Sequence, residues 1–252
     1  TQAMINGQSR ALLCLGGNFA VAMPEHERVF RAMRGLDLCV HVGTKLNRTH
    51  LLTGKETFIF PCLGRTEMDM QRSGKQSITV EDSMSMVHAS AGKLQPASPA
   101  LLSEPAIVAG MAQATLTDSK VDWQELVSDY DLIRDLIEKT LPGFEDYNER
   151  IRKPGGFRMP LPPTERIWPT PTGKAMFSLF EGVDENASGV GDNILRLVTL
   201  RSHDQYNTTI YAMDDRYRGV FGRRDILFMN EGDMAQLGLE HGDRVDISTA
   251  LP

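Results

Sequence analysis

The chain has 252 residues and a mass of 28.0 kDa, enough for one large or two ordinary domains with hydrophobic cores. Hydrophobic residues make up 41% and charged residues 24%, as in ordinary globular proteins, and the net charge of -6 argues against nucleic acid as a partner. The three cysteines form no CxxC pair, and no run of 18 apolar residues or leader pattern occurs. We therefore expect reduced thiols, no membrane span and a cytoplasmic location.

The two ends of the sequence lack the features of natural termini. The chain begins at Thr1 without an initiator Met and closes on Pro252 directly after a predicted strand. We therefore expect it to be a fragment of a longer polypeptide.

The first part of the chain has the alternating pattern of an α/β fold. Apolar runs at 11–15, 36–42 and 57–63 predict strands, and residues 24–33 between the first two predict a helix. We expect the three strands to lie parallel in one sheet within a unit of about residues 10–115.

Two polar loops follow strands of this predicted sheet. Gly16-Gly17-Asn18 follows the first strand, and the donor-rich segment 43–50 follows the second. Backbone N–H groups at a glycine turn can approach a phosphate closely, and ligands bind at the carboxyl ends of parallel strands. The sequence therefore predicts a nucleotide or phosphate site at this edge.

Two helices follow an irregular segment at 65–99. Ser103-Glu104-Pro105 predicts the start of a helix that continues to about Thr115, and Asp122 predicts the start of a second one that ends at Pro142-Gly143. Glu104 is consistent with a simple first-turn acid as well as with a binding residue.

The last part of the chain is predicted to be rich in strands. A Gly/Asp/Asn/Ser linker at 181–193 precedes apolar runs at 195–200, 226–229 and 244–248. Between the last two, Asn230 to Gly238 predicts a short helix with a glycine stop. Corners of this kind are typical of β-barrels, although a closed barrel needs more strands than are present here.

Nine polar, charged or aromatic residues follow the predicted strand at 195–200. Arg201 offers a forked donor, Gln205 and Asn207 offer amides, and Tyr206 offers an aromatic wall, which suits a large, flat ligand with phosphates. A polar loop over a barrel mouth is the alternative. A single His cannot complete a zinc shell, so we predict no metal ligands here.

Six motifs in order, 12–18, 40–49, 59–61, 170–175, 201–209 and 233–245, resemble the second half of molybdopterin-dependent oxidoreductases of the dimethyl-sulfoxide-reductase superfamily. The branch that this chain resembles is the formate-dehydrogenase-like alpha (molybdopterin) subunit. The resemblance implies a molybdenum or tungsten ion held by two pterin dithiolenes, each carrying a guanine nucleotide (bis-molybdopterin guanine dinucleotide).

The resemblance also implies a fold and a domain organisation. A Rossmann-like α/β half-domain with a parallel sheet would be followed by part of a double-psi-type β-barrel. Residues 1–118 would form the region that binds the guanine dinucleotide, and 119–193 a helical and extended connection. Residues 194–252 would begin the C-terminal barrel.

Specific residues are implied as cofactor contacts. Glu104 lies where the family places an acid that faces guanine, and a carboxylate there can accept from two ring donors together. The implied contacts to one guanosine-phosphate moiety and to the pterins are Gly16, Gly17, Asn18, Val42, Gly43, Thr44, Asn47, Thr49, Glu104, Arg201, Ser202, Gln205, Tyr206 and Asn207.

Two departures from the family pattern are visible. Val42-Gly43 stands where many relatives have Gln-Asp, and Gln205 stands where formate dehydrogenases often have His. The iron–sulfur cysteines for a 4Fe-4S cluster, the metal ligand and the catalytic residues would all lie in an N-terminal half outside this chain. The fragment alone is therefore expected to be inactive, with that half and an electron-transfer protein as its partners.

Other interpretations remain open at this point. A non-enzymatic nucleotide-binding module with a β-barrel interaction domain is the main alternative. A nicotinamide-dependent dehydrogenase is disfavoured, because Gly16-Gly17 lacks the G-x-x-G spacing. Among the histidines only His203 is a candidate cofactor contact, and no catalytic base is assigned.

Overall fold

The computed structural model describes residues 1–179 and 194–248. The chain divides into two compact units, Thr1–Ala175 and Met176–Pro252, and each is described by itself. The helices of the first unit are α1 (Gln2–Ile5), α2 (Phe19–Ala22), α3 (His26–Arg34), α4 (Glu104–Thr115), α5 (Trp123–Ser128), α6 (Tyr130–Thr140) and α7 (Tyr147–Arg152). Its strands are β1 (Ala11–Leu15), β2 (Leu38–Gly43), β3 (Glu56–Pro61), β4 (Met70–Gln71), β5 (Gly74–Lys75), β6 (Ile78–Glu81), β7 (Met86–Ser90) and β8 (Phe157–Arg158).

Strands β1, β2 and β3 form a parallel sheet in the order β1-β2-β3. Leu13 lies opposite Val40, which in turn lies opposite Phe58, so the three strands share one register. Helices α2 and α3 connect β1 to β2, whereas a single 3-10 turn at Arg48–Leu51 connects β2 to β3. The predicted parallel sheet is confirmed.

Helices cover the two faces of this sheet unequally. Val29 and Met33 of α3 are fully buried in one cluster with Cys39 of β2. Val42, on the opposite face of β2, packs with Ile107 and Met111 of α4. Helix α3 begins at His26 and not at Pro24 as predicted, because Glu25 before it has a left-handed conformation with a φ of 54°.

The helix predicted from Asp122 onwards is two helices in the structure. Asp129 between α5 and α6 is extended, with φ -151° and ψ 118°, and its carboxylate accepts a hydrogen bond from the Asp131 backbone N at 2.9 Å. The Gln76 side chain accepts from the Tyr130 backbone N at 2.8 Å. Side-chain caps therefore replace the backbone bonds that a continuous helix would make, and apolar spacing alone does not reveal such a break.

The remaining strands of the first unit form small antiparallel sheets. Strands β6, β7 and β8 pair in that order, and β4 and β5 form a separate two-stranded ribbon. Tyr147 and Ile151 of α7 pack against Val87 of β7 in a third cluster of buried residues. In the sequence, these elements follow the parallel sheet and come before the end of the first unit.

A buried tyrosine fixes the start of α4. Tyr130 is 3% exposed, its hydroxyl lies 2.7 Å from that of Ser103, and it donates to the carboxylate of Asp69. Burial and the neighbouring Asp69 carboxylate raise the pKa of Tyr130 well above its usual value. The Ser103 hydroxyl also accepts from the Ala106 backbone N at 3.3 Å, so this network holds the first turn of α4.

The second unit contains β9 (Gln205–Tyr206), β10 (Thr209–Ile210) and α8 (Glu231–Leu237). The predicted helix after Asn230 is confirmed: the Asn230 side chain caps it, and left-handed Gly238 ends it. The strands predicted at 195–200, 226–229 and 244–248 are wrong, because those segments pair with no other strand in the part of the chain described. The linker predicted at 181–193 lies outside the described residues.

No closed barrel is formed by residues 194–248, so the double-psi arrangement stays a prediction. A strand is stable only when neighbouring strands satisfy its backbone groups. The apolar side chains of the expected first strand are largely uncovered, with Val198 65% exposed and Leu200 63% exposed. None of the helices described is long and apolar enough to cross a membrane.

We expect Tyr130→Phe to lower the free energy of unfolding by about 1–3 kcal/mol, because it leaves the half-buried Asp69 carboxylate without its donor and the buried Ser103 hydroxyl without its acceptor. Tyr211→Phe is the control, since Tyr211 is exposed. Urea denaturation of the two variants measures the difference. Equal stabilities would show that the buried network does not hold this part of the fold.

Candidate functional site

The ends of the three parallel strands bring two predicted binding loops together. The Gly16 backbone N donates to the Val42 carbonyl oxygen at 2.8 Å, and the Cys62 backbone N donates to that of Gly43 at 3.2 Å. The glycine turn Gly16-Gly17-Asn18 and the loop 43–49 are therefore neighbours at the carboxyl edge of the sheet. This is the edge at which the sequence predicts a ligand.

Side-chain hydrogen bonds lock these two loops to each other. The Asn47 amide Nδ2 donates to the Gly17 carbonyl oxygen at 3.1 Å, and Asn47 Oδ1 accepts from the Thr49 backbone N at 3.0 Å. The Thr49 hydroxyl donates to Asn18 Oδ1 at 3.2 Å and accepts from the Ala20 backbone N at 3.1 Å. Thr49 is completely buried, so its hydroxyl holds the loops in place.

Glu104 lies beside the glycine turn. Glu104 is the first residue of α4, and its Oε1 is 3.5 Å from the position that a Cβ would take on Gly16. Burial raises the pKa of the Cys62 thiol, and the negative charges of Glu104 and Glu67 raise it further. The Glu104 carboxylate therefore faces the edge of the sheet on which the two loops lie.

The other predicted residues of this loop differ in what they can offer. Val42 is buried against α4, and its carbonyl oxygen already accepts from the Gly16 backbone N, whereas Thr44 is exposed and Gly43 half-buried. Gly16 has a φ of 69°, which favours glycine, but Gly17 does not have a positive φ, and a Cβ added there would meet nothing within 4 Å. Gly17 thus presents an open stretch of backbone.

These groups fit a nucleotide. Open glycine backbone and the exposed Thr44 hydroxyl suit phosphate oxygens, while a carboxylate suits the paired N–H donors of a guanine base. Within residues 1–179 and 194–248, no cluster of three His, Cys, Asp or Glu side chains is placed to hold a metal ion.

The predicted contacts of the second unit lie on a tight hairpin. Gln205 and Tyr206 form β9, and Asn207 follows them with a φ of 50°. The Ser202 hydroxyl donates to Gln205 Oε1 at 2.7 Å, and Gln205 Nε2 donates to the Asn207 carbonyl oxygen at 2.9 Å. Arg201 is exposed, and so is Tyr206, at 63%.

A brace behind this hairpin was missed by sequence reasoning. Asp215 is 2% exposed, and its Oδ2 accepts from the His203 backbone N and from Arg218 Nη1, both at 3.0 Å. The His203 N–H is the largest cause that holds the pKa of Asp215 below its usual value, and the Arg218 cation adds to it. The ionised Asp215 carboxylate therefore stabilises the fold at neutral pH, and this stabilisation is lost as the pH falls through the lowered pKa of Asp215.

Arg224 completes the brace. Its guanidinium donates to the Ser202 hydroxyl and to the carbonyl oxygens of Ala212 and Asp214. Arg218 and Arg224 are thus bound to the protein itself and are not free to act as phosphate ligands. Asp214 and Asp215, followed closely by Arg216 and Arg218, are a sequence signal for such internal pairing.

The structure brings the predicted residues together in two sets. Gly16, Gly17, Asn18, Val42, Gly43, Thr44, Asn47, Thr49 and Glu104 belong to the first unit, and Arg201, Ser202, Gln205, Tyr206 and Asn207 to the second. The expectation that both sets face one shared cleft stays a prediction.

Comparison with known proteins agrees with this chemistry. Residues 195–251 match the family described as molydopterin dinucleotide binding domain. The protein YdeP of Escherichia coli strain K12 is 55% identical over 251 residues, which are all of this chain and 33% of YdeP. The uncharacterized oxidoreductase Rv2900c of Mycobacterium tuberculosis strain H37Rv is 46% identical over 250 residues, 98% of this chain and 32% of that protein. The chain therefore spans about a third of the length of these relatives.

We expect Asp215→Ala to raise the amide hydrogen exchange rate of His203 about fivefold to tenfold, because the carboxylate that accepts its N–H is removed. Asp225→Ala is the matched control: Asp225 is also paired with an arginine, Arg223, but it is exposed and does not bond to the hairpin. Exchange measured by mass spectrometry checks this. An unchanged rate at 201–207 in Asp215→Ala would contradict the brace.

Proposed function

We propose that this chain, a segment related to the molybdopterin oxidoreductases, supplies cofactor-binding surface to a longer enzyme of that kind. The proposed cofactor is bis-molybdopterin guanine dinucleotide with molybdenum or tungsten, and the parent enzyme is formate-dehydrogenase-like. The match of residues 195–251 to the molydopterin dinucleotide binding domain carries the proposal, and the loop site in the first unit supports it.

The first unit would hold one guanosine-phosphate part of the cofactor. A carboxylate repels phosphate, so Glu104 beside Gly16 favours the base at that point, where it would accept from the ring N–H and the exocyclic amine. The phosphates would then lie toward Gly17, Asn18 and the loop 43–49, where backbone and neutral polar groups are available. The base and the phosphates would thus be separated by one glycine turn.

The second unit would contact the pterins. Residues 201–207 fall within the matched family segment, and the brace formed by Asp215 and Arg224 fixes their backbone. Arg201 has no ion pair to a described carboxylate, so its forked donor is available to a phosphate or a pterin oxygen. When bound, the metal–pterin group supplies the redox chemistry, while the residues of this chain bind and orient it.

The relatives are about three times as long as this chain, which leaves room for the catalytic part elsewhere in the parent. We place the metal ligand, the catalytic residues and a 4Fe-4S cluster in that remaining part, with a separate electron-transfer protein as a partner. The isolated segment is then expected to be inactive.

A partly uncovered face of the parallel sheet supports the need for further polypeptide. Leu13, Leu15, Phe58 and Phe60 lie on the face that carries Val42, and they are 41–59% exposed. Parallel sheets are normally covered on both faces. We propose that another part of the parent polypeptide packs on these side chains.

We expect Gly17→Val in the full-length parent to strip the cofactor while leaving the fold intact, because the side chain enters open space where the phosphates would bind. Gly110→Val is the control, since Gly110 has the same free room around it but lies in α4 away from the predicted contacts. Metal, pterin and guanine nucleotide contents of the purified proteins decide the matter. A fully loaded Gly17→Val protein would refute the placement of the phosphates.

We expect Arg201→Ala in the parent to weaken cofactor binding by about 1.5–3 kcal/mol, because a charge-assisted hydrogen bond is lost. Arg216→Ala removes another exposed arginine of the same unit and serves as the control. Metal content and melting temperature are measured on the same proteins. Arg201→Ala should lose metal while its melting temperature changes little. Normal metal content and activity in Arg201→Ala would contradict the proposed role of Arg201 in cofactor binding.

A further inference from the structure

Two buried histidines lie directly beneath the loops of the candidate site. His41, in the middle of β2, is 1% exposed, and His50, in the 3-10 turn Arg48–Leu51, is 8% exposed. Their ring centroids are 5.0 Å apart. Sequence reasoning assigned neither of them a role.

His50 is tied to Asn47, the residue that locks the two loops together. The Asn47 backbone N donates to His50 Nδ1 at 3.0 Å, and the Asn47 side-chain Oδ1 lies 3.1 Å from the same nitrogen. Asn47 in turn caps the 3-10 turn by accepting from the Thr49 backbone N. The Asn47 side chain thus satisfies a backbone N–H of the turn, and the His50 ring satisfies the backbone N–H of Asn47. This is the reciprocal arrangement of a capping box.

The consequence reaches the glycine turn. With its backbone held by His50, Asn47 directs Nδ2 at the Gly17 carbonyl oxygen, 3.1 Å away. The ring of His41 fills the space beneath His50, so the imidazole cannot move away from Asn47 without opening the core. The chain of contacts runs from the core through His50 and Asn47 to the backbone of Gly17.

We propose that His50 is a positioning residue of the dinucleotide site, one that fixes Asn47 so that the glycine turn is held in its binding conformation. This rests on the proposed function, because the turn is taken to hold phosphates of the guanine dinucleotide. His50 itself is buried and does not touch the ligand.

The test uses the full-length parent with three substitutions. His50→Leu removes the acceptor for the Asn47 N–H and keeps an apolar side chain in the core. His50→Gln restores an acceptor at the position where capping boxes normally carry Glu or Gln. Tyr147→Phe is the control for stability, since it removes a partly buried hydrogen bond between Tyr147 and Thr79, far along the chain from the loops.

Guanine nucleotide released from the purified protein and its rate of loss on dialysis are measured, together with the melting temperature. His50→Leu should lose the nucleotide about fivefold faster than the parent, because the partly buried hydrogen bond from the Asn47 backbone N to His50 no longer orders the loop. His50→Gln should recover most of this retention, and Tyr147→Phe should retain its nucleotide despite a lowered melting temperature.

Two different failures can be told apart. If the unmodified parent releases no guanine nucleotide, the proposed function falls. If it does release the nucleotide but His50→Leu retains it as well as the parent does, or if Tyr147→Phe loses it equally fast, the positioning role of His50 is wrong.

Discussion

The hydrogen bond from the Asn47 side chain to the Gly17 carbonyl oxygen joins the two loops on which the candidate site depends. Parallel strands bring their carboxyl ends to one edge, but loops at that edge are free to move unless side chains connect them. Asn47 and Thr49 make that connection, and both are anchored in the fold: Thr49 by complete burial and Asn47 by His50. A ligand that approaches Gly17 therefore meets a backbone whose conformation is already set.

Glu104 reaches the same edge from another part of the sequence. Its helix α4 packs through Ile107 against Val42 of β2, and the hydroxyls of Ser103 and Tyr130 hold its first turn. The carboxylate position thus follows from packing and from a buried polar network, and both must be intact for Glu104 to lie beside Gly16. This arrangement places one carboxylate acceptor next to the backbone of the glycine turn.

Sequence reasoning identified the parallel sheet, helices α3, α4 and α8, and the two loops, because each is encoded by local patterns. Apolar runs predict strands, spacing at Val29 and Met33 predicts a helix face, and Ser103, Asn230 and Gly238 are local start and stop signals. The break at Asp129 was missed because its cause, Gln76, is far away in sequence. The roles of Asp215 and Arg224 are equally non-local, since each depends on which group the fold places next to the side chain. The contact of His50 with Asn47 is local, but histidine is not one of the usual capping-box residues.

The second unit shows why its predicted strands were wrong. Residues 195–200 have the composition of a strand, yet in the described part of the chain they find no partner, and their apolar side chains are left uncovered. The hairpin at 205–210 is ordered instead by contacts to the residues just before it. Asp215 accepts from the His203 backbone N, and Arg224 donates to the Ser202 hydroxyl. Within residues 194–248, polar bracing therefore holds the segment of the proposed pterin contacts without a closed barrel around it.

The most direct test of the central claim is amide hydrogen exchange of the full-length parent, with its cofactor bound and after the cofactor has been removed. If this chain holds a guanine dinucleotide pterin, residues 16–18, 43–49, the first turn of α4 and 201–207 become protected on binding, while helix α7 is unchanged. If those four segments exchange equally fast in both states while other parts of the parent become protected, the cofactor is held elsewhere and the account is wrong.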